Sequence, residues 1–385
     1  MHTAEVVLIG GGIVGSSIAY HLTAAGCRNV LVLERESAQG KGSTGKSMGG
    51  VRAQFATPVN IQMSMYSIPF YATMPERLGV ESGYRPQGYL FLATRTSHVD
   101  YLKANLERQH QMGLATAQWL SHDDIARQFP LLKTSDVLGA SFCSTDGFVD
   151  PYLAMTGLMD KAREQGATLW KSAEVTSIDV DSKGVCAVHT ARGAIATRVV
   201  VNCAGAWGAA IARMVGVDLP VTPLKRMLVP SEPFAEFPHT APMIIDMSNG
   251  FHFRPESLGF LLAWNDAEEV HDFDTNFDPL FVEKILERAV ERVPCFENLA
   301  INPQRGWAGL YEMTPDHHPA LGPVDGVGGF FCANGFSGHG VMHAPATGKI
   351  LADLITQGTT SLIDAEILSF QRFAEGRLIH ETAVL

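Results

Sequence analysis

The stretch Val6-Val7-Leu8-Ile9-Gly10-Gly11-Gly12-Ile13-Val14-Gly15 joins a short apolar run to a glycine-rich turn, and residues 16–22 continue it with a helical pattern. Gly10, Gly12 and Gly15 fit the pattern G-x-G-x-x-G. Its first glycine makes the turn, its second lets the backbone approach a pyrophosphate, and its third packs the helix on the strand. The free N–H groups and the positive dipole end of the helix start favour that pyrophosphate. The motif therefore predicts a dinucleotide site, without distinguishing NAD from FAD.

A second apolar strand, Val30-Leu31-Val32-Leu33, follows Gly26 and ends at Glu34. In units of this kind, an acidic residue about 20 residues beyond the glycines binds the adenosine ribose. Strand, glycine turn, helix, second strand and acid occur here in that order. The complete order favours a dinucleotide site over a purely structural glycine turn.

The composition limits the domain count and the kinds of partner. The chain has 385 residues, of which 46% are hydrophobic and 18% are charged, and it contains 37 glycines. These values predict one large or two interleaved domains of a loop-rich α/β enzyme. The formal net charge of −11 argues against nucleic acid and against an anionic membrane surface as partners.

The cysteines and the N-terminus indicate a compartment. No CxxC pair occurs, and the N-terminus lacks the basic region and cleavage site of a signal peptide. No uninterrupted apolar stretch approaches the roughly 18 residues that a membrane span requires. We therefore expect a cytoplasmic protein without a membrane span and without disulfides. The six cysteines are Cys27, Cys143, Cys186, Cys203, Cys295 and Cys332.

The organisation along the chain predicts two domains that each use discontinuous segments. A dinucleotide motif stands at one end, and a buried strand at Phe330–Ala333 with a glycine turn and a helix over residues 344–357 stands at the other. The fold class is α/β, with a Rossmann-type cofactor domain and an interleaved substrate domain built on a mixed or antiparallel sheet. We assign residues 1–85, 145–216 and 306–385 to the cofactor domain and residues 86–144 and 217–305 to the substrate domain.

Four further segments resemble the D-amino-acid-oxidase superfamily, in the branch of sarcosine oxidase and dimethylglycine dehydrogenase. They lie in the expected order over essentially the whole chain. These segments are the loop Gly42–Phe55 (GSTGKSMGGVRAQF), Val201–Gly208 (VNCAGAWG), Trp307–Gly322 (WAGLYEMTPDHHPALG) and Asn334–Gly348 (NGFSGHGVMHAPATG).

The resemblance implies FAD rather than NAD as the cofactor. It places Glu34 at the ribose, the Val175 backbone at the adenine, and Ala204 and Gly205 near the pyrophosphate. In the turn before the last helix, three glycines permit close backbone approach to the pyrimidine edge of a flavin, which gains negative charge on reduction. The predicted cofactor residues are Gly10, Gly12, Ile13, Val14, Gly15, Glu34, Arg35, Ser43, Thr44, Lys46, Ser47, Met48, Val175, Ala204, Gly205, Trp207, Gly309, Gly335, Phe336, Ser337, Gly338, His339, Gly340, Val341 and Met342.

The chain departs from its relatives at the positions that attach FAD covalently. Monomeric sarcosine oxidases use a cysteine just before the tyrosine of the segment that matches Gly309-Leu310-Tyr311, and this chain has no cysteine there. Dimethylglycine dehydrogenase uses a histidine in the loop that matches Ser43–Lys46, and no histidine occurs there. We therefore expect non-covalent FAD.

Other departures concern the substrate and the electron acceptor. Met342 replaces the lysine that grips the substrate carboxylate in monomeric sarcosine oxidase, and Leu261 replaces a lysine associated with oxygen activation. Tyr311 stands where glycine oxidases have an arginine. These differences leave both sarcosine and oxygen open, and they weaken an assignment to glycine or D-amino acids.

The substrate carboxylate needs another anchor, and arginine offers a planar fork that binds carboxylates bidentately. Arg52 lies near the end of the loop Gly42–Phe55, which we call the flavin loop, and Arg254 lies on a predicted strand that roofs the site. Two arginines in one pocket would suit a dicarboxylate amine such as iminodiacetate. His252 and Tyr311 are predicted as polar pocket groups, which completes the catalytic set. We expect no metal, because His339 lies in a glycine turn and no third ligand accompanies it and His343.

The predicted function is FAD-dependent oxidation of the C–N bond of a small secondary or tertiary amino acid. Candidates are N-substituted glycines such as sarcosine, dimethylglycine or iminodiacetate. A hydride equivalent passes to flavin N5, and the imine hydrolyses to an amine and an aldehyde or oxo-acid. The acceptor of the electrons is oxygen or another redox carrier. Two alternatives remain open: an enzyme for primary amines, like D-amino acid dehydrogenase or glycine oxidase, and a non-catalytic flavoprotein subunit or assembly factor.

Overall fold

The computed structural model describes residues 2–265 and 270–383. In these residues the strands are β1 His2–Thr3, β2 Val6–Ile9, β3 Val30–Leu33, β4 Gly50–Val51, β5 Tyr89–Ala93, β6 Ala117–Ser121, β7 Gly139–Cys143, β8 Gly147–Phe148, β9 Thr168–Trp170, β10 Val175–Asp181, β11 Gly184–Thr190, β12 Gly193–Ala196, β13 Val200–Asn202, β14 Thr222–Pro230, β15 Met243–Asp246, β16 His252–Glu256, β17 Gly259–Ala263, β18 Trp307–Met313, β19 Ala320–Pro323 and β20 Phe330–Asn334.

The first of the α-helices begins at the predicted dinucleotide motif. They are α1 Ile13–Ala24, α2 Pro58–Ala72, α3 Met74–Leu78, α4 Thr96–Gln111, α5 His122–Gln128, α6 Pro151–Glu164, α7 Gly208–Arg213, α8 Phe281–Arg292, α9 Gly340–Gln357 and α10 Gln371–Ala374. Short 3-10 turns lie at Thr44–Lys46, Gly205–Trp207, Pro294–Asn298, Pro303–Arg305 and Ala365–Leu368.

The dinucleotide motif is built into a six-stranded sheet with the order β19-β20-β13-β2-β3-β9. All neighbouring strands in it are parallel except β19, which runs antiparallel to β20. The residues of β2 and β3 are all buried, as expected for parallel strands covered on both faces. Because β2, β13 and β20 are adjacent, the first and the last strand–turn–helix units of the chain lie side by side. This arrangement confirms the predicted α/β class with a Rossmann-type domain.

Helix α9 begins at Gly340, four residues before the predicted start at residue 344. Proline lacks the N–H that would bond the carbonyl four residues earlier, so Pro345 leaves the Val341 carbonyl without its helical donor. The Tyr71 hydroxyl donates to that carbonyl at 2.7 Å. A donor from α2 thus replaces the missing helical bond, and the helix passes through the proline.

A second, eight-stranded sheet has the order β18-β14-β17-β16-β15-β5-β7-β6 and is antiparallel except for the parallel pair β15 and β5. Strands β5 to β7 and β14 to β17 come from the two segments that the sequence assigned to a substrate domain. Strand β18 pairs with β14 in the same sheet, although the sequence placed it in the cofactor segment 306–385. The domain bounds themselves stay a prediction.

Two smaller sheets complete the strand pairing: a four-stranded sheet, β1-β12-β11-β10, and the pair β4 and β8. The core consists of separate apolar clusters. The largest surrounds α1, α2, α6 and α9, and a second cluster rich in phenylalanine lies at the eight-stranded sheet and α8. Across the part of the chain that the structure describes, no helix is both long and apolar enough to cross a membrane.

Candidate active site

A large cleft lies between the carboxyl ends of the parallel strands and the eight-stranded sheet. It encloses about 2150 Å³ of space without protein atoms, part of it open to solvent. One wall of the cleft is formed by three parallel strands, through Ile9, Leu33 and Ala333. Another wall is formed by the eight-stranded sheet, through Tyr89 and His252. Ligands of α/β sheets bind at this end of the strands.

The glycines of the first motif meet tight packing. A Cβ on Gly10, whose φ is +116°, would lie 2.3 Å from the Cys203 carbonyl oxygen. A Cβ on Gly15 would lie 2.0 Å from the Gly10 carbonyl oxygen. Gly15 therefore packs helix against turn, the part expected of the third glycine, and it does not line the cleft.

The start of helix α1 faces the cleft, and few side chains of the protein accept hydrogen bonds from its first N–H groups. Gly12 supplies no side-chain cap, and the first turn carries no acidic residue. Thr44 of the flavin loop accepts from the Ile13 N–H through Oγ1 at 3.0 Å, while Val14 lines the cleft beside it. The remaining N–H groups of the first turn and the helix dipole suit a pyrophosphate.

Glu34 lies at the end of β3 and lines the same cleft. Its Oε2 accepts from the Gly11 N–H at 3.1 Å, and its Oε1 accepts from the Glu36 N–H at 2.8 Å. Each carboxylate oxygen has two acceptor sites, so both retain one for a further donor. The two backbone bonds fix the orientation of the Glu34 side chain at the edge of the cleft.

The second glycine turn and the start of helix α9 form the other end of the cleft. Gly338, His339 and Gly340 line it, and α9 also begins without a side-chain cap or an acidic residue in its first turn. A Cβ on Gly338 would lie 2.5 Å from the Tyr311 ring. One cleft thus contains the starts of α1 and α9, whose N-cap residues supply no side-chain cap. It also contains Glu34, an acidic residue of the kind that binds a ribose. This set of groups fits FAD.

Glu312 clamps this second turn from strand β18. Its Oε2 accepts from the Gly335 N–H at 3.0 Å, and its carbonyl accepts from the Ser337 N–H at 3.0 Å. Ser337 adopts a φ of +50°, which is rare for a residue with a side chain. The clamp therefore stabilises a turn that the backbone of Ser337 does not favour.

Burial raises the pKa of the Glu312 carboxyl from 4.5 to about 7, against the opposing effect of the N–H donors of Gly335 and Phe336. A carboxyl whose folded-state pKa is raised contributes stability below pH 4.5, and this stability is lost as the pH rises through 7. The Tm of the parent chain should therefore fall between about pH 5 and about pH 8, and the Tm of Glu312→Gln should fall by less over the same range. Thermal melts at both pH values measure the difference. Glu291→Gln, on the exposed side of α8, is the control and should keep the parent difference.

Arg52 lies in the part of the cleft that Arg226, His252 and Tyr311 also line, and we call this part the central chamber. It is fully buried and lines the cleft next to Tyr89. Its guanidinium donates to the carbonyls of Gln54 and Ala383 and lies 3.9 Å from the centre of the Phe55 ring. Its Nε has no hydrogen-bond partner among the described residues. Burial lowers its pKa, and the charges of Glu381 and Asp146 act against this larger effect, but neither carboxylate forms a hydrogen bond with the guanidinium among the described residues.

His252, Tyr311 and Arg226 share this chamber with Arg52. The Arg226 guanidinium carbon lies 5.5 Å from the centre of the Tyr311 ring. Burial lowers the pKa of His252 to about 4, and the positive charges of Arg226 and Arg52 contribute in the same direction. Burial and the Arg52 charge also hold the pKa of His339 well below its ordinary value. The chamber therefore combines two guanidinium groups with neutral imidazoles.

Arg254 does not line the cleft. Its Nε donates to the Met48 carbonyl at 2.6 Å, and its Nη1 forms an ion pair with Glu256 at 2.5 Å. Arg254 therefore holds the flavin loop in place through the Met48 carbonyl. The second guanidinium of the central chamber belongs to Arg226, which lies on β14 of the same sheet.

Most of the predicted site residues come together in the cleft. Gly15, Arg254, Gly335 and Ser337 do not line it, and their roles as ligand contacts stay predictions. The predicted residues that line it are Gly10, Gly12, Ile13, Val14, Glu34, Arg35, Ser43, Thr44, Lys46, Ser47, Met48, Arg52, Val175, Ala204, Gly205, Trp207, His252, Gly309, Tyr311, Phe336, Gly338, His339, Gly340, Val341 and Met342.

Sequence reasoning missed several polar side chains of the cleft, among them Tyr89, Arg226 and Glu312. Arg226 lies on β14 directly opposite Gly309 of β18, a pairing that only the strand register reveals. Glu312 follows Tyr311 in the segment that carried the family resemblance, so its position beside a predicted site residue was the available signal. Tyr89 carried no such signal, because its strand is apolar on both faces.

Fold and cleft together define a dinucleotide-binding protein with a cationic chamber beside the cofactor site. Residues 5–354 match the family model described as FAD dependent oxidoreductase. The chain therefore belongs to this family, which confirms the resemblance drawn from the motifs, the FAD cofactor and the enzymatic class.

Three relatives illustrate the range of the family. The chain is 32% identical to FAD-dependent oxidoreductase domain-containing protein 1 of Bos taurus, over 99% of this chain and 87% of that protein. It is 33% identical to the mitochondrial dimethylglycine dehydrogenase of Homo sapiens, over 92% of this chain and 43% of that protein. The structure of L-proline dehydrogenase from P. horikoshii is 33% identical, with a TM-score of 0.91 over 98% of this chain and 99% of that chain.

These findings establish an FAD-dependent oxidoreductase of the amine and amino acid type. FAD would lie with its pyrophosphate at the start of α1 and its flavin toward the start of α9. The chamber of Arg52, Arg226, His252 and Tyr311 would then face the reacting end of the cofactor.

Proposed function

We propose that this protein oxidises the C–N bond of a small secondary or tertiary amino acid and holds FAD without a covalent bond. The observation that carries the proposal is the buried guanidinium of Arg52 in the chamber beside the second glycine turn. A substrate carboxylate bound there would lie next to an amine at the neighbouring carbon.

The surroundings of Arg52 support an anionic ligand. A buried charge is costly unless it is paired and hydrogen-bonded, and the described residues give Arg52 two carbonyls but no carboxylate. Burial lowers the pKa of this guanidinium, yet arginine stays protonated in proteins. A substrate carboxylate would supply the missing negative charge, and the planar fork favours it over a neutral group.

The thiol nearest the cofactor motif supports non-covalent binding. Cys203 lines the cleft, and its Sγ donates to the Gly10 carbonyl at 3.4 Å. Burial raises the pKa of this thiol, which keeps it in the protonated, weakly nucleophilic form.

The mechanism follows from charge and position. Bound FAD supplies the acceptor for two electrons. Arg52 holds the carboxylate, and the cationic character of the chamber disfavours the ammonium form, so the substrate amine is neutral when it reacts. Its lone pair forms the C=N bond while the neighbouring C–H hydrogen leaves with its electron pair. Water then hydrolyses the imine to an amine and an aldehyde or oxo-acid.

Anaerobic titration of the yellow protein tests the proposal. The panel is sarcosine, dimethylglycine, proline, iminodiacetate, glycine and D-alanine, each followed by flavin absorbance. Bleaching by an N-substituted amino acid is the expected result. Faster bleaching by glycine or D-alanine would favour the primary-amine alternative, and no bleaching with FAD bound would favour a non-catalytic role. Readmission of air shows whether oxygen or another carrier accepts the electrons.

A further inference from the structure

The hydrogen bond of His252 fixes which ring nitrogen carries the proton. Nδ1 lies 3.0 Å from the Gly250 carbonyl oxygen. A carbonyl oxygen only accepts hydrogen bonds, so Nδ1 must be the donor in this pair. The imidazole is held on β16 in the tautomer whose Nε2 has no hydrogen.

Nε2 is therefore a hydrogen-bond acceptor. Burial and the charges of Arg226 and Arg52 keep the ring neutral at physiological pH, since they lower the pKa of His252 to about 4. Nε2 has no partner among the described residues and is not sealed inside the protein, because the side chain lines the cleft. An acceptor with a fixed direction thus faces the chamber that contains Arg52.

The chamber offers few other acceptors to a substrate. Arg52 and Arg226 are donors only. The Tyr311 hydroxyl keeps its proton, because burial raises its pKa, and it can donate as well as accept. His339 is also neutral and lines the cleft, but no hydrogen bond among the described residues fixes its tautomer as the Gly250 carbonyl fixes that of His252. In a ligand anchored through its carboxylate, the amine lies one carbon away from the anchor. His252 is then a natural acceptor for the hydrogen that this amine carries.

We infer that His252 Nε2 accepts a hydrogen bond from the N–H of the substrate amine, so that the site selects secondary amino acids over tertiary ones. This inference rests on the proposed function and narrows it. A neutral secondary amine keeps one N–H to donate while its lone pair forms the C=N bond. A neutral tertiary amine has no N–H, and it brings an alkyl group against Nε2.

The expected discrimination follows from the unpaired acceptor. A site that hydrogen-bonds a substrate N–H rejects an analogue without it, because the buried polar group of the protein is left unpaired. That loss corresponds to roughly 10- to 100-fold in the rate constant for reduction divided by the dissociation constant. The extra methyl group also changes the fit of the substrate in the pocket, so the contribution of the acceptor is measured by comparing His252 variants on the same pair of substrates.

Anaerobic stopped-flow reduction of the holoenzyme tests the inference with two matched pairs: sarcosine against dimethylglycine, and proline against N-methylproline. The parent chain is expected to prefer the secondary amine of each pair by 10- to 100-fold. His252→Phe removes the acceptor but keeps a flat ring, and its preference for the secondary amine should be about tenfold lower than that of the parent chain. His252→Gln retains an acceptor and should keep most of the preference.

The outcomes separate the two proposals. Equal reduction by both members of a pair in the parent chain would overturn the selection by His252 and leave amine oxidation intact. An unchanged preference in His252→Phe, with bound flavin confirmed by its visible spectrum, would also overturn it. Should His252→Phe fail to fold, His252→Leu, which also lacks a hydrogen-bond acceptor, takes its place in the same comparison, and an unchanged preference there would overturn the inference. No reduction by any amine would overturn the proposed function and this inference together.

Discussion

Arg52→Ala is expected to slow flavin reduction by the amino acid substrate by about 100-fold or more while FAD stays bound. Removing one partner of a buried charge pair costs about 2–5 kcal/mol in binding, and each 1.4 kcal/mol is a factor of ten. The loss should appear mainly in the dissociation constant of the substrate, because the carboxylate is anchored before and during the reaction. Stopped-flow reduction under anaerobic conditions, at several substrate concentrations, measures both quantities.

Arg254 provides the matched control for that variant. Both arginines are buried, but Arg254 donates to the Met48 carbonyl and pairs with Glu256 instead of lining the cleft. Arg254→Lys should lower the Tm, while the dissociation constant of the substrate should stay close to that of the parent chain. A loss of affinity in Arg254→Lys equal to that in Arg52→Ala would shift the carboxylate anchor away from Arg52.

Gly15→Ala is expected to destroy FAD binding and to lower the Tm by roughly 1–4 °C, or to prevent folding. The added Cβ would lie 2.0 Å from the Gly10 carbonyl oxygen, a backbone atom that cannot rotate away. Overpacking of this kind costs about 1–3 kcal/mol or more, and the turn that carries the pyrophosphate must move to relieve it. Flavin absorbance of the purified protein and a thermal melt measure the two effects.

Gly42→Ala is the control for the glycine motif. This glycine also lines the cleft, but a Cβ there would meet its nearest neighbour, the Trp207 ring, only at 4.0 Å. The variant should bind FAD and melt close to the parent chain. Normal flavin content and normal Tm in Gly15→Ala would contradict the packing role of the third glycine.

The cofactor end of the site could be predicted from the sequence because its chemistry is local. Gly10, Gly15 and Glu34 lie within one strand–turn–helix–strand unit, and backbone geometry alone fixes the order of their roles. The glycine turn before α9 has the same local character. Its helix start was missed by four residues because a donor from another helix, Tyr71, compensates for Pro345. Sequence reasoning cannot anticipate a donor from 270 residues away in the chain.

The substrate end was less accessible because it depends on strand register. Arg226 and Arg254 are both arginines on strands of the eight-stranded sheet, and the sequence offered no reason to prefer the first. Side chains of a strand alternate between its two faces, so the assignment of face decides which of them reaches the cleft. Glu312 was overlooked for a related reason, since its role comes from clamping a turn about 20 residues later in the chain.

A comparison of two substrates on the unchanged protein tests the central claim most directly. The most rapidly oxidised amino acid is compared with its carboxamide, which has nearly the same size but no negative charge. If Arg52 anchors the substrate carboxylate, anaerobic flavin reduction by the carboxamide should be slower by about 100-fold at low concentration. Reduction of the flavin by both compounds at the same rate would contradict a carboxylate anchor in the chamber.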